Sequence, residues 1–215
     1  MGDIEIVTLV IIAANVIASF KGFNDPSFFS NYKFHVGSIR SGQQIRMLTS
    51  GFLHVDTSHL LVNMLTLYFF ANQVIYGVGA VGFLIIYLGS LILGNILSLY
   101  FHKDEYEYHA VGASGAVMGI LYAAILLQPD MMLLLFFIVP IPAYVFGIGY
   151  LLYSIYGMRA RTDNVGHDAH FGGAVAGYLI TLILAPWIFS SHRLMVVLLA
   201  IPIVVLFVMK KLNKI

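Results

Sequence analysis

Apolar residues run along this chain in blocks rather than in alternation. Seven stretches can be marked, at about 4–20, 58–76, 78–100, 111–127, 131–157, 168–188 and 193–209. A helix needs roughly 20 residues to cross a hydrocarbon core about 30 Å thick. Unbroken runs exclude a closed β-barrel, whose strands alternate. The pattern predicts an all-α membrane protein, one transmembrane domain over residues 1–215, because a lipid-facing backbone must satisfy its own polar groups.

The connections are uneven. Residues 21–57 form a long loop punctuated by Phe23, Phe28, Phe29, Tyr32, Phe34, Ile39, Ile45, Phe52 and Leu53. A loop that apolar is expected to pack on the bundle or lie at the membrane interface. Residues 101–110 and 158–167 are polar loops. The fifth run contains Pro140, Pro142, Gly147 and Gly149 and reads as a helix kinked by its prolines. No internal repeat is visible, which weakens a transporter built from inverted repeats. The fourth run is short: Val111–Leu127 rises only about 25 Å. Its start, Gly112-Ala113-Ser114-Gly115, is therefore expected below one membrane face. A recessed helix N-terminus needs protein or water around its free N–H groups.

Composition supports the same class. The chain is 60% hydrophobic and only 10% charged, against about 25% charged in soluble domains; mean hydropathy is +0.91. A net charge of +1 offers no basic face for nucleic acid. The absence of cysteine removes disulfides and thiolate chemistry. The segment Met1-Gly2-Asp3-Ile4-Glu5 lacks the basic character of a secretory signal, so the first run reads as a retained span.

Polar side chains inside spans are expensive and default to functional suspects. Ser114 opens the short fourth helix, where backbone N–H groups favour negative charge. His170 begins the sixth run, with Gly173 and Gly177 on the same face. Gly115 and Gly119 follow Ser114 on a second small-residue face. Two such faces let backbones approach closely, and their meeting would bring Ser114 and His170 together. A serine beside a neutral imidazole is an activated nucleophile with its base. Asp168 is too near His170 in sequence to share its face, so a dyad is expected, with Asp168 in a loop or cap. His59 and Asn63, one turn apart, each offer a donor to an oxyanion. Thr57 or Ser58 can cap their helix.

Bland readings exist for each: Ser114 as a small packing residue, His170 as a hydrogen-bonded core histidine, His59 and Asn63 as an inter-helix pair. Rival chemistries fit less well. H-E-x-x-H is absent. His167 and His170 as metal ligands lack a third. A haem between His59 and His170 leaves Ser114 and Asn63 unexplained. The soluble-hydrolase elbow G-x-S-x-G fails at Ala116. No metal and no cofactor is expected.

Three motifs together carry a resemblance. Gly112-Ala113-Ser114-Gly115 reads G-x-S-G, His59 and Asn63 read H-x-x-x-N, and Ala169-His170 with Gly173 and Gly177 reads A-H-x-x-G-x-x-x-G. In this order the chain resembles the rhomboid family of intramembrane serine proteases over roughly residues 4–188. The resemblance implies a six-helix core. It also implies Ser114 as nucleophile, His170 as base, and an oxyanion hole from the Ser114 N–H, His59 and Asn63. Transmembrane segments of other proteins would be the substrates, with the lipid bilayer as medium and a bacterial inner (cell) membrane as the expected location. Arg46 matches the arginine of the family's W-R pair, with Ile45 in place of the tryptophan, and His54 matches the histidine before H-x-x-x-N. Met118 stands where many members carry an aromatic residue packed on the catalytic histidine. Residues 193–209 are expected to add a seventh, C-terminal helix. Family orientation would leave Arg193 as the one basic residue in an inside loop, against the positive-inside rule. The alternative functions are a non-catalytic membrane protein that binds or escorts transmembrane clients, and a small transporter.

Overall fold

The computed structural model describes residues 4–135, 138–212 and 214; Met1, Gly2 and Asp3, at the start of the first run's leading segment, lie outside them. Helix α1 spans Ile6–Asn24, 19 residues. It is followed by α2 (Pro26–Tyr32), whose first turn is capped by Asp25 accepting from the Phe28 N–H at 3.0 Å. Short helices α3 (Val36–Arg40) and α4 (Arg46–Thr49) complete the long first loop. As expected, that loop is packed rather than free. Phe34, Val36 and Ile39 are buried in a small cluster of their own, with Met47, Leu99, Tyr108 and Ala110 around it. Strand β1 (Phe34–His35) pairs antiparallel with β2 (His109–Ala110), joining the long first loop to the polar loop 101–110.

Helix α5 covers Thr57–Phe101, 45 residues, which as one rod would exceed about 65 Å. It is two spans. Gly79 breaks it with φ 75° and ψ 168°, a conformation that suits glycine because it has no Cβ. The arms are 57–78 and 80–101. Asp56 caps the first arm, accepting from the His59 N–H at 2.7 Å, so the cap is neither Thr57 nor Ser58. The Asp56 carboxylate, three residues before His59, reaches the free N–H that those hydroxyls would have served.

Helix α6 spans Ser114–Leu127 and is central, with every residue from Gly115 to Leu126 buried. Helix α8 spans His167–Leu184. The arm 80–101, α6 and α8 form a tight wedge of backbone contacts. A Cβ on Gly173 would run into the carbonyl of Gly115, and one on Gly177 into that of Gly119. A Cβ on Gly94 would lie 2.6 Å from the Ala169 carbonyl oxygen. The two small-residue faces read from the sequence do meet.

The fifth run departs from expectation. Its first part is a β-hairpin, β3 (Met132–Leu135) with β4 (Val139–Pro142), closed by the Ala143 N–H donating to the Met131 carbonyl at 2.8 Å. Residues 136–137 of the run lie outside the described residues. Pro140 and Pro142 sit on this strand, not within a helix, and helix α7 (Ala143–Ala160) begins just after them. An apolar run alone does not separate a buried helix from a strand, and proline is at home on an edge strand and before a helix start.

After Pro186 a short turn α9 (Ile188–Ser191) leads into α10 (Arg193–Lys211). Ile6–Asn24, Thr57–Phe101 and Arg193–Lys211 are long and apolar enough to cross a membrane. Helix α10 packs on α7, burying Met195, Leu199, Pro202 and Leu206. The surface of the bundle is apolar, with Val62, Val81, Ile183 and Val197 all exposed, while Thr8, Asn15, Ser90 and Thr181 are buried. That inversion, around a helical bundle, is what a bilayer solvent requires.

Candidate functional site

Ser114 and His170 come from α6 and α8, whose backbones meet at Gly115 and Gly173. The Ser114 Oγ lies 2.5 Å from His170 Nε2. Ser114 is half-buried, and His170 is buried. Because Gly115 and Gly173 put backbone against backbone, the first turns of α6 and α8 lie at one level. Serine sits on the first turn, where the first N–H groups have no intrahelical acceptor. Gly112 precedes it with φ 131°, a left-handed conformation that lets the chain turn into α6. The Gly112 N–H donates to the Ser50 carbonyl at 3.0 Å, which ties the turn to the long loop.

His59 stands over this turn. A Cβ on Gly112 would lie 2.9 Å from His59 Nε2 and 3.5 Å from Ser114 Oγ. The glycine thus leaves the space in which the histidine nitrogen and the serine oxygen approach. His59 Nδ1 is buried without a partner. Asn63 is buried too, and its Nδ2 donates to the His59 carbonyl at 2.9 Å. One of the two N–H groups of its amide is thus spent on its own helix. Of the predicted residues, Ser114, His170, His59 and Gly112 therefore meet at one point. Gly115, Gly119, Gly173 and Gly177 are the contacts that hold α6 to α8.

His54 and Arg46 support the site from outside it. His54 is fully buried, with its ring 4.9 Å from that of His59. Burial, with His59 alongside, pushes its pKa down to about 3, so it is neutral. Its Nε2 accepts from the Ala113 N–H at 3.4 Å, and its Nδ1 meets Ser19 Oγ at 2.9 Å. Ser19 in turn donates to the Phe52 carbonyl at 3.0 Å. A chain of donors thus runs from the residue before Ser114 to α1. Arg46 is buried and donates to the carbonyls of Ser30 at 2.7 Å and Lys33 at 3.1 Å, closing the end of α2. Ile45, in the tryptophan position, is exposed.

Two residues went unread in the sequence. Tyr150 on α7 places its Oη 2.7 Å from His170 Nδ1. His102, just beyond α5, stacks on Tyr108 with centroids 3.5 Å apart. It also lies 3.5 Å from an Asp168 carboxylate oxygen and 2.9 Å from one of Glu105. Asp168 is thus a buried residue of the first turn of α8 rather than a loop or cap residue. Its ion partner, 66 positions away, is what makes its burial tolerable. A cavity of about 190 Å³ lies beside this cluster, lined in part by Arg161, Asp163 and His167. Among the described residues no group of three or more His, Asp or Glu is placed to hold a metal ion.

A helical membrane bundle with a serine and a histidine joined at the first turns of two helices defines a narrow class. The profile of the Rhomboid domain matches residues 41–187. The chain belongs to the rhomboid family. It is 30% identical over 181 residues to RHOMBOID-like protein 12, mitochondrial, of Arabidopsis thaliana, a match covering 77% of this chain and 54% of that protein. To Rhomboid protein 1, mitochondrial, of Saccharomyces cerevisiae it is 33% identical, over 63% of this chain and 40% of that one. To the human Presenilin-associated rhomboid-like protein, mitochondrial, it is 31% identical, over 61% and 35%. The chain spans about half the length, or less, of these relatives. Their mitochondrial names overturn the expectation of a bacterial cell membrane, which rested on no residue of the sequence; the multi-pass membrane character stands.

Proposed function

We propose that this chain is an intramembrane serine endopeptidase that cleaves transmembrane segments of other membrane proteins. The observation that carries the reading is the 2.5 Å approach of Ser114 Oγ to His170 Nε2 at the start of a buried helix. In the reaction, Nε2 takes the Oγ proton as Oγ adds to the scissile carbonyl carbon. The carbonyl oxygen becomes an oxyanion. The free N–H groups at the start of α6, His59 Nε2 and the spare Asn63 N–H are its donors. The imidazolium then gives its proton to the leaving nitrogen, and the acyl-enzyme forms. Water, deprotonated by the same Nε2, adds to the ester carbon and releases the acid with Oγ–H restored. The substrate helix must unwind locally, since its carbonyls are otherwise tied in hydrogen bonds. The family resemblance supports a small residue before the cut.

The test uses the purified chain in detergent, a transmembrane model substrate and a fluorophosphonate probe. Cleavage and labelling of Ser114 are expected, and both vanish in Ser114→Ala. Cleavage retained in that variant would sink the mechanism. Failure of the intact chain to cleave or label, with binding of transmembrane segments preserved, would favour the client-binding alternative.

A further inference from the structure

For Nε2 of a neutral imidazole to accept the serine proton, the ring's one proton must sit on Nδ1. A buried N–H requires an acceptor. Asp168 cannot supply it, because its carboxylate is turned to His102 at 3.5 Å. The atom that meets Nδ1 is Tyr150 Oη, at 2.7 Å. The Tyr150 ring lies beside the imidazole, with centroids 5.9 Å apart at 33°. It is itself held by a stacked contact with Phe146 at 5.8 Å. Met118 stands where the family resemblance leads one to expect an aromatic neighbour for the histidine; here that neighbour comes from α7.

We propose that Tyr150 is a positioning residue for His170. Its phenol oxygen accepts the Nδ1–H, selects the tautomer whose Nε2 lone pair faces Ser114, and holds the ring plane. The inference rests on the reading of Ser114 and His170 as nucleophile and base. It adds a consequence that the dyad alone lacks. Tyr150 belongs to α7, outside the glycine wedge, so the reactivity of Ser114 depends on where α7 stands. A displacement of roughly 1 Å lengthens this bond beyond useful reach, and a serine whose base has lost its tautomer is a poor nucleophile.

The experiment compares the full chain with Tyr150→Phe and with 3-fluorotyrosine incorporated at position 150. Three quantities are read: the rate of fluorophosphonate labelling of Ser114, kcat and KM on a transmembrane substrate, and the thermal midpoint. Tyr150→Phe is expected to slow labelling and kcat about tenfold, with KM and the midpoint little changed. The fluorinated ring packs alike but is a weaker acceptor, and an intermediate rate is expected. Labelling of Tyr150→Phe within twofold of the unaltered chain would overturn the inference while leaving the dyad intact. So would a loss in Tyr150→Phe with no change on fluorination, because that is the signature of packing. Should Tyr150→Phe not fold, the fluorinated chain alone decides. An unaltered chain that takes no label brings down the dyad and this inference together.

Discussion

The wedge of arm 80–101, α6 and α8 and the outer pair α7 and α10 are both apolar helices, but they are packed by different means. In the wedge, backbone lies on backbone: Gly173 on Gly115, Gly177 on Gly119, Gly94 on Ala169. In the outer pair, side chains do the packing, with Met195, Leu199 and Leu206 of α10 buried toward α7. Within α7 itself, Gly149 has no atom within 4 Å of where a Cβ would stand. Lipid tails give apolar helices no hydrophobic reason to associate, so close approach must come from fit. Backbone contacts leave no rotamer to relax, whereas long side chains can repack. Ser114 and His170 stand in the region that cannot give, and Tyr150 in the region that can.

That contrast can be broken at several points. The largest effect is expected at the proposed nucleophile: Ser114→Ala should lower cleavage by at least about 10³-fold with the fold intact, as read by substrate turnover beside the thermal midpoint. Gly173→Val comes next. Its side chain collides with the Gly115 backbone, and a loss of about 3 kcal/mol or more in unfolding free energy is expected, with Ser114 labelling lost as well. Labelling at the normal rate in a stable Gly173→Val chain would mean that the wedge does not position the pair.

A smaller effect concerns the ion pairs of His102 with Asp168 and Glu105. Burial by itself would lower the His102 pKa, but the carboxylates of Asp168 and Glu105 outweigh it and hold the value above the ordinary one. A folded pKa above the unfolded one adds stability that is complete below about pH 6.5 and fades as pH climbs through the folded value. The thermal midpoint of the chain should therefore exceed that of His102→Gln at roughly pH 6, and the gap should narrow as pH rises. A gap that widens with pH would reverse the assignment. The smallest effect is on the outer side. Gly149→Ala fills open space in a helix interior and should be neutral or stabilising by up to about 1 kcal/mol, the opposite of Gly173→Val.

Much of this was legible in advance because glycine spacing and apolar runs report backbone geometry directly. The small-residue faces of α6 and α8 could be read, and with them the approach of Ser114 to His170. The β3–β4 hairpin could not, since Met131–Leu134 are as apolar as any span and only Pro140 and Pro142 hinted at a break in the helix. Tyr150 carries no local signal: it lies 20 positions from His170 in an aromatic-rich helix, and only the packing of α7 selects it among its neighbours. The same holds for His102 with Asp168, and for Ser19 with His54, whose partnerships exist only once distant segments meet. Motifs mark residues that serve one reaction everywhere; the partners that orient them belong to each bundle separately.

The reversal at Gly79 has a topological consequence. Two spans joined through one residue form a hairpin whose arms cross in opposite directions, so the ends near 57 and 101 share a face. The β1–β2 pairing and the contact of Arg161 with Glu105 at 2.8 Å bring the loops 21–57, 101–113 and 158–167 to that same face. Parity therefore ties all three together whichever way the chain inserts. An epitope placed in any one of them reports the side on which the other two are found.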